Sequence, residues 1–465
     1  MNASIHEKRE ESKECNLLDV IGIGIGPFNL GLAALLDTKT NVNALFLEQK
    51  TSFSWHEGML LKGTTLQVPF FADLVTMADP TSPYSYLNYL HVHNRLYHFY
   101  FLEKFLIPRA EYNHYCKWVA DQLDSCQFGQ QVIDIRWIEG EQDTCYEVTV
   151  KGTAADDQSP PTGERTGTAS VSPVEQRTYR TRHIVLGVGS TPHIPEALLS
   201  AGGDGAGIFH SSAFMHRQQS CRQAESITVV GSGQSAAEVY LQLLSEQSDY
   251  GYRLDWLTRS KGFLPMEYSK LGLEHFSPDY MQYFHRLPQQ VKDDLLSKQD
   301  FMYKGISSKT IADIYDLLYE LTACGQQVPT RLLSNIEITH MEPHAGRYRL
   351  YGFHREQEAR FTHDTDIIIC ATGYRHGIPD FMEGIRAQID WDSQSRYQLD
   401  ASFRLQMKND IPNRIFVQNG ALHSFGIGTP DLGLGCYRNL VLLEAITGQA
   451  IQRPERHVFQ QFGLS

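Results

Sequence analysis

The chain has 465 residues, of which 42% are hydrophobic and 20% charged, and its 41 Lys and Arg against 54 Asp and Glu give a formal charge of -13. This composition is typical of a globular protein, and the length predicts two or three domains. An acidic chain repels phosphate backbones, and no apolar stretch reaches the roughly 18 residues of a membrane span. We therefore expect neither nucleic acid nor a membrane as a partner.

The first sixteen residues, 1–16, are polar and of mixed charge. They lack the apolar core of a signal peptide, so we expect a disordered tail and a cytoplasmic protein. None of the eight cysteines belongs to a C-x-x-C pair, and the 19 histidines include no H-E-x-x-H. The sequence therefore predicts no metal site and no dithiol redox centre.

The first predicted elements form a β-α-β unit. An apolar run ends in the glycines of a G-x-G-x-x-N motif, a Leu- and Ala-rich segment follows, and a second apolar run ends in an acid. The first glycine of the motif permits a tight turn, and the second lets the backbone approach a pyrophosphate at a helix N-terminus. Alone, the motif also fits an ordinary glycine turn, but the acid would bind ribose hydroxyls. The predicted FAD contacts are Gly22, Gly24, Gly26, Pro27, Asn29 and Glu48, with Asn29 where Gly or Ala is usual.

The segment that follows is predicted to be mainly helical over residues 80–123 and to end in strands at 146–150 and 178–186. Between these strands, residues 152–176 are rich in Ser, Thr, Pro, Gly and Asp and include almost no apolar residue. Such a segment cannot bury enough surface to order itself, so we expect a flexible loop.

A second β-α-β unit begins at Ser226, and its loop motif has Ala in the third place. The next predicted strand ends at Arg259, whose guanidinium would pair with a 2′-phosphate that a carboxylate would repel. This unit therefore favours NADPH over NADH, unless Arg259 is only a solvated strand end. The predicted NADPH contacts are Gly231, Gly233, Gln234, Ser235 and Arg259.

These elements predict an α/β fold with two Rossmann-like dinucleotide-binding domains, the second inserted into the first. We expect an FAD domain over 17–188 and 364–465, ending in a C-terminal helix, and an NADPH domain over 189–363. The aromatic-rich stretch at about 265–325 is predicted to be a small, mainly helical substrate region. Because no paired cysteine motif exists, electrons from NADPH would pass to FAD and then to oxygen or another acceptor.

Five motifs together point to one family. The last of them fits D-x-x-x-[LF]-A-T-G-Y-x-x-x-x-[HP], with Cys370 where Leu or Phe is usual. They lie at residues 22–30, 53–59, 79–89, 230–236 and 366–379. On these motifs the chain resembles, nearly end to end, the microbial N-hydroxylating flavin monooxygenases of hydroxamate siderophore synthesis. The resemblance implies FAD, NADPH, molecular oxygen, a C4a-hydroperoxyflavin and a primary amine that becomes a hydroxylamine.

The resemblance also implies roles for single residues. Gln67 would face the flavin beside Trp55 and His56, which makes Gln67 and His56 the catalytic candidates. Packing beneath a loop explains Trp55 and His56 equally well. Thr372 and Gly373 would lie where the late strand meets the cofactor. Since an alkylammonium has a pKa of about 10.4, an apolar pocket would be needed to supply the neutral amine.

Three positions bear on the identity of the amine. In the ornithine enzymes of this family a Lys, an Asn and a Ser hold the substrate carboxylate, and here Ala72, Leu273 and Gly433 align with them. The alignment is most secure at Ala72, where the flanking residues match on both sides. A buried carboxylate without a cation is too costly for binding. The resemblance therefore implies an aliphatic diamine, putrescine or cadaverine, as the substrate.

The distal ammonium of a diamine needs its own acidic partner. Glu267, Glu274 and Asp431 lie near the aligned segments, and each also fits a solvated or helix-capping acid. The alternatives are an L-ornithine or L-lysine N-monooxygenase that anchors its carboxylate elsewhere, a flavin monooxygenase acting on sulfur or ketones, and a non-catalytic flavoprotein that binds NADPH. Relatives also imply a homo-oligomer, either a dimer or a tetramer.

Overall fold

The computed structural model of the protein describes residues 17–139, 144–152, 176–199 and 207–464. The predicted tail lies outside the described residues, and so does the predicted flexible loop apart from its two end residues, which belong to strands.

Within the described ranges the chain alternates between strands and helices, with short 3-10 turns between them. The strands are β1 Leu18–Ile23, β2 Ala44–Glu48, β3 Cys126–Phe128, β4 Gln130–Glu139, β5 Thr144–Gly152, β6 Gln176–Leu186, β7 Thr191–Pro192, β8 Ile208–His210, β9 Ser226–Val230, β10 Arg253–Leu257, β11 Thr330–Leu333, β12 Ile336–His344, β13 Arg347–His354, β14 Ala359–Thr365, β15 Ile367–Cys370, β16 Tyr374–Arg375 and β17 Arg414–Val417. The helices are α1 Pro27–Lys39, α2 Tyr86–Val92, α3 Leu96–Leu102, α4 Arg109–Ala120, α5 Phe214–Gln223, α6 Gln234–Tyr250, α7 Lys270–Leu273, α8 Pro278–Arg286, α9 Gln289–Lys298, α10 Asp300–Tyr303, α11 Ser308–Thr322, α12 Leu422–Phe425 and α13 Gly435–Thr447.

The first sheet is built around β1. It pairs in parallel with β2 on one side and with the second half of β6 on the other, and Ile21 lies opposite Leu45 and Ile184. The parallel order continues to β3 beyond β2 and to β17 beyond β6, while β5 and β4 extend the first half of β6 antiparallel. The apolar runs of the parallel strands are buried on both faces, as is expected where helices cover such a sheet. Helices α1 and α13 pack against each other beside it.

The second sheet is fully parallel, in the order β11-β10-β9-β15-β8, and a three-stranded antiparallel sheet of β12, β13 and β14 lies next to it. The chain leaves the first sheet after β6 and returns to it at β17, and β7 pairs with β16 where the outgoing and returning segments meet. The predicted α/β architecture, with one nucleotide-binding fold inserted into the other, is confirmed.

The expected boundary at residue 364 is wrong. Strand β15 pairs with β9 and β8 and therefore belongs to the second sheet, not to the second part of the FAD domain. The carboxylate of Asp366 accepts hydrogen bonds from the backbone and hydroxyl of Ser226, which fastens the start of β15 to β9. The chain returns to the FAD domain only after Cys370, because β15 pairs with β9 and β8 in the second sheet.

The predicted helical region at 265–325 is not one unit. Helix α8 packs on α12, which belongs to the FAD domain, through a cluster that includes Tyr280, Phe284, Met302 and Ile427. Helix α11 instead packs on α6 of the NADPH domain, where Ile314 joins the core of that domain. The segment thus bridges the two domains. No helix among the described residues is long and apolar enough to cross a bilayer.

Candidate active site

The first glycine loop connects β1 to α1. Gly24 has a φ of +85°, and a Cβ added there would lie 2.6 Å from the carbonyl oxygen of Gly187. A Cβ at Gly22 would lie 2.1 Å from the ring of Phe46. The loop therefore needs glycine at both positions, at Gly24 for the turn and at Gly22 for packing of the strand.

Helix α1 presents an uncapped N-terminus at this loop. Its N-cap is Gly26, Pro27 stands at the first helical position, and no acidic side chain lies in the first turn. The free N–H groups and the positive end of the helix dipole form an anion site that fits a pyrophosphate. The carboxylate of Glu48 accepts a hydrogen bond of 2.9 Å from the backbone of Ile25, which places the acid beside the loop for a ribose diol.

Asn29 occupies a different position from the one we expected. Its side chain is fully buried, and Nδ2 donates to the carbonyl oxygen of Gly24 at 2.8 Å and to that of Val185 at 3.4 Å. A Cβ added at Gly187 would lie 2.4 Å from Asn29 Nδ2. Asn29 therefore ties the glycine loop to β6 from below and does not face the pyrophosphate.

Gln67 provides a test of whether the cleft fits a flavin. Its Nε2 atom is buried and has no hydrogen-bond partner among the described residues. An orphaned buried donor is costly unless a ligand satisfies it. This atom therefore fits the hydrogen-bond acceptors of an isoalloxazine ring. Tyr268, which sequence reasoning missed because no motif marks it, donates its hydroxyl to the backbone carbonyl of Gln67.

Trp55 and His56 line the same loop, with ring centroids 4.6 Å apart in an edge-on arrangement. The backbone of Trp55 donates to Asn113 at 2.7 Å, which anchors the loop on α4. His56 has a left-handed φ of 50°, and desolvation within the cleft and the nearby Arg109 lower its pKa to about 4. The imidazole is therefore neutral near pH 7, and its low pKa makes it a weak base, which suits a hydrogen-bonding role better than a general-base role.

Thr372 and Gly373 lie in the connector that follows β15, not in a strand of the FAD domain. The Thr372 hydroxyl donates to the carbonyl oxygen of His193. The carbonyl oxygen of Gly373 accepts from the backbone of His193 at 2.9 Å and is 3.0 Å from Nε2 of His210. Both residues therefore hold the outgoing and returning connectors together.

The second glycine loop has the same construction as the first. A Cβ added at Gly231 would lie 2.2 Å from the carbonyl oxygen of Ala371, and Gly233 is the uncapped N-cap of α6. The side chain of Gln234 points into the protein. Its Nε2 donates to Glu238 and Thr310, both at 2.9 Å, and its Oε1 accepts from the backbone of Ser307. Any contact of Gln234 with NADPH is therefore left to its backbone.

Arg259 is exposed beside this loop and makes no ion pair or side-chain hydrogen bond among the described residues. Lys261, a second exposed cation, lies two residues further on, and the hydroxyls of Ser232 and Ser260 are 2.9 Å apart. Ser235 is half-buried in the first turn of α6. Two exposed cations and the Ser260 hydroxyl after β10, together with the Ser232 hydroxyl in the glycine loop after β9, form a suitable site for a 2′-phosphate.

A buried ion pair fixes the two domains relative to each other. Arg109, the first residue of α4, donates to both carboxylate oxygens of Glu238 on α6, at 2.8 and 2.9 Å. Both side chains are largely buried. A Cβ at Gly58 would lie 1.8 Å from the carbonyl oxygen of Ser212, so the loop after His56 fits closely against the NADPH domain.

The structure brings together two of the three positions that align with carboxylate contacts. A Cβ added at Gly433 would lie 3.8 Å from the Cβ of Ala72, which is buried. The third position, Leu273, lies on α7 and is 36% exposed. Ala72 and Gly433 therefore form one apolar corner, to which Leu273 makes no described contact.

Asp431 borders this corner. Its Oδ1 accepts a hydrogen bond of 2.8 Å from the backbone of Gly433, and its Oδ2 has no hydrogen bond among the described residues. Burial raises the pKa of Asp431 to about 6, although the guanidinium of Arg438 acts in the opposite direction. Arg438 is fully buried, and its terminal N–H groups donate to the carbonyl oxygens of Gln418 and Thr429.

The other two acidic candidates are engaged elsewhere. The carboxylate of Glu267 accepts from the backbone of Ser269 at 2.6 Å, just before α7. The carboxylate of Glu274 accepts from the backbone of Phe459 and of Gln460, both at 2.9 Å. Neither has a described contact with Ala72 or Gly433, so Asp431 alone of the three acids lies at the apolar corner.

Two glycine loops with uncapped helix N-termini, a buried unpartnered donor at Gln67 and two exposed cations without a described partner beside the second loop define an oxidoreductase that passes electrons from NADPH to FAD. Comparison with known proteins agrees with this class. The profile of the L-lysine 6-monooxygenase/L-ornithine 5-monooxygenase family matches residues 16–376. The chain belongs to this family of FAD- and NADPH-dependent N-hydroxylating monooxygenases.

Two curated relatives and one solved structure are similar over nearly the whole chain. The rhizobactin siderophore biosynthesis protein RhbE of Rhizobium meliloti (strain 1021) is 42% identical, over 96% of this chain and 95% of its own length. The putrescine N-hydroxylase of Shewanella oneidensis is 40% identical, over 96% of this chain and 84% of its own. The crystal structure of DfoA bound to FAD, the cadaverine monooxygenase of desferrioxamine biosynthesis in Erwinia amylovora, is 38% identical. It has a TM-score of 0.87 and covers 97% of this chain and 99% of its own.

Proposed function

We propose that the protein N-hydroxylates one primary amine of an aliphatic diamine, putrescine or cadaverine, with NADPH and O2, for the synthesis of a hydroxamate siderophore. The observation that carries this proposal is the apolar corner of Ala72 and Gly433. Relatives that act on putrescine or cadaverine support the same substrate class.

An amino-acid carboxylate would be unfavourable at this corner. Ala72 and Gly433 provide no side-chain donor, and the adjacent ionisable group is the acid Asp431. The two terminal nitrogens of the buried cation Arg438 already donate to backbone carbonyls, and its Nε has no described partner. A carboxylate placed here would lose its hydration, gain no cation and face a like charge, so ornithine or lysine should bind poorly.

The distal ammonium of a diamine fits the same corner. The Oδ2 atom of Asp431 lacks a described partner and can accept from an ammonium, while Oδ1 stays fixed by Gly433. The apolar surroundings strengthen such a pair because little water screens it. Asp431 would thus hold one end of the diamine and direct the other end toward Gln67.

Bound FAD, once reduced by NADPH, would activate O2, so that one oxygen atom is transferred to the amine and the other leaves as water. The residues of the chain bind the cofactor, orient it and exclude water. The glycine loops and the N-terminus of α1 would hold the cofactor, and the Nε2 donor of Gln67 would orient it. Tyr268 closes the cleft over the backbone of Gln67 and limits the access of water.

A panel of amines tests the proposal. Purified protein with FAD and NADPH should form hydroxylamine from putrescine or cadaverine, with most of the NADPH consumed for hydroxylation. With ornithine or lysine, NADPH should be oxidised mainly without hydroxylation, and the main product should be hydrogen peroxide. Coupled hydroxylation of ornithine or lysine with no diamine product would contradict the proposal. If the protein consumes no oxygen with any of these amines, the result would favour a non-catalytic flavoprotein.

We also propose that the protein assembles with a second copy of itself through α3. No residue of this helix is buried, and its aromatic face has exposures of 78% at Tyr97, 71% at Tyr100 and 73% at Phe101, continued by Phe105 at 64%. Aromatic side chains bury roughly 150 to 250 Å² each, so four rings supply much of the roughly 800 Å² per partner of a standard interface.

Sedimentation tests this assembly. Phe101→Glu should shift the protein from oligomer to monomer, because an ionised carboxylate would be buried in the interface. Tyr319→Glu is the matched control, since Tyr319 is 73% exposed on α11 of the other domain. A wild-type monomer, or an oligomer that Phe101→Glu leaves intact, would contradict an interface at α3.

A further inference from the structure

The segment 264–277 covers the cleft but contributes little to any core. It lies between β10 and α8 and contains α7, none of whose residues is buried. Its contacts with the FAD domain include the bond from the Tyr268 hydroxyl to Gln67. Its start is fixed by backbone bonds of Met266 to Ile306 and of Glu267 to Phe301. The part from Tyr268 onward needs another support to stay over the cleft.

That support comes from residues 457–462, here called the strap. The carboxylate of Glu274 accepts from two successive strap N–H groups, those of Phe459 and Gln460, at 2.9 Å each. The side chain of Gln460 donates back to the carbonyl oxygen of Leu271 in α7. The strap therefore bonds both to the C-cap residue of α7, Glu274, and to the backbone carbonyl of Leu271 within the helix.

A second set of contacts fastens the strap to α8. The carboxylate of Asp279 accepts a hydrogen bond of 3.0 Å from the backbone N–H of His457. The ring Nδ1 of His457 also lies 3.0 Å from this carboxylate. The ring of Phe462 lies 4.9 Å from Tyr280 and 5.3 Å from His275, measured between centroids. Because α8 packs on the FAD domain, the strap links the cover of the cleft to a fixed support.

We propose that the strap holds Tyr268 and α7 closed over the substrate pocket, with Glu274 as the positioning residue that fastens it. This inference rests on the proposed N-hydroxylation. Glu274 touches neither substrate nor cofactor and acts through the segment that it secures. A cover that opens would admit water to the cleft, and reduced flavin would then pass its electrons to oxygen without hydroxylating the amine.

Coupling measures closure directly. Glu274→Ala removes both acceptors and should lower the ratio of hydroxylamine formed to NADPH oxidised by about threefold or more, with a matching rise in hydrogen peroxide and a higher KM for the diamine. The rate of flavin reduction by NADPH should stay within about twofold of wild type, because both glycine loops are unaltered. Glu274→Gln keeps one acceptor and should be intermediate. Glu320→Ala is the matched control, as an exposed glutamate on α11 without a described side-chain partner.

Limited proteolysis gives a readout that needs no substrate. Trypsin should cleave after Lys270 faster in Glu274→Ala and in Phe462→Ala than in wild type or Glu320→Ala, because α7 is released. Unchanged coupling and unchanged cleavage in both variants would overturn the proposal. So would a loss of coupling without faster cleavage, or faster cleavage without a loss of coupling. If wild-type protein hydroxylates no diamine, the proposed function fails, and cleavage after Lys270 still decides whether the strap holds α7.

Discussion

Ala72 and Gly433 are separated by 361 positions in the chain, yet an added Cβ at one would touch the side chain of the other. Each was singled out because it aligns with a polar carboxylate contact. Their proximity indicates that the two losses concern one corner of one pocket. Under the proposed function, substrate choice would therefore depend on two missing side chains and one acid, Asp431.

Restoring a cation at this corner should disfavour diamines. Ala72→Lys would place an ammonium near Asp431, where it would compete with the distal ammonium of the substrate. The kcat/KM for the diamine should fall by tenfold or more, which corresponds to about 1.4 kcal/mol. Ala72→Met is the control for size, because it adds a chain of similar length without charge. Equal losses in the two variants would show that bulk, not charge, is responsible.

Asp431 should give the reaction a recognisable pH dependence. Its pKa is raised to about 6, so the carboxylate is charged above that pH and loses its charge, and its hold on the ammonium, below it. Since kcat/KM reports the ionisation of the free enzyme, its logarithm should fall by one extra unit per pH unit below about 6. Asp431→Asn should lack this limb and have a higher KM. If Asp431 serves only as a helix cap and as the counterion of Arg438, Asp431→Asn would lower the melting temperature and leave the slope of log kcat/KM against pH unchanged.

The sequence identified this pocket only partly. The family resemblance pointed to Ala72 and Gly433, but the sequence could not choose among Glu267, Glu274 and Asp431, because the direction of an acidic side chain depends on its tertiary contacts. It also counted Asn29 among the FAD contacts, and the structure shows that this side chain turns inward and donates to the Gly24 carbonyl. Local patterns fix where a turn occurs, not which way a polar side chain points from it.

At the scale of elements, the two glycine loops are predictable because each one needs a conformation that only glycine adopts without strain. Gly24→Ala should strip FAD from the protein, since the added methyl group meets the Gly187 carbonyl and shifts the loop. Gly346→Ala is the matched control, with a similar φ of +81° and no atom within 4 Å of the added Cβ. The bound flavin, read from its absorbance, should fall in the first variant only. Full FAD retention in Gly24→Ala would contradict the role of this loop.

The end of β10 carries the second cofactor prediction. Arg259→Ala should reduce the ratio of NADPH to NADH efficiency by about tenfold or more, because a free guanidinium no longer meets the 2′-phosphate. Lys261→Ala should have a smaller effect, as an ammonium makes no bidentate pair. Stopped-flow reduction of the flavin with each nucleotide measures the ratio. An unchanged ratio of NADPH to NADH efficiency in Arg259→Ala would show that Arg259 is only a solvated residue at the end of a strand.

Elements whose pattern is local were predictable, and those that depend on distant partners were not. The β-α-β units follow from apolar runs and glycines nearby in sequence. The placement of β15 does not, because its run of isoleucines would suit either sheet, and pairing with β9 decides between them. Likewise, the aromatic residues of α8 and the apolar residues of α11 carry no signal that they pack on different domains.

At the scale of the whole molecule, the pocket exists only because two domains meet. The Arg109–Glu238 pair joins α4 to α6, and the segment that contains Tyr268 reaches from the NADPH domain to Gln67 of the FAD domain. Under the proposed function, electrons enter through the NADPH domain, and the amine binds where that domain borders the FAD domain. The relative position of the two domains therefore has to be maintained for NADPH consumption and hydroxylation to stay coupled.

Under the proposed function, this assembled pocket selects an amine without a carboxylate. The most direct measurement is competition in one vessel, since the product ratio from equimolar substrates equals the ratio of their kcat/KM values. Wild-type protein should be given putrescine with ornithine, and cadaverine with lysine, and the hydroxylated products quantified by mass spectrometry. We expect the hydroxylated diamine to exceed the hydroxylated amino acid by at least about a hundredfold in one of the two mixtures. Equal amounts, or an excess of the hydroxylated amino acid in both mixtures, would contradict the account.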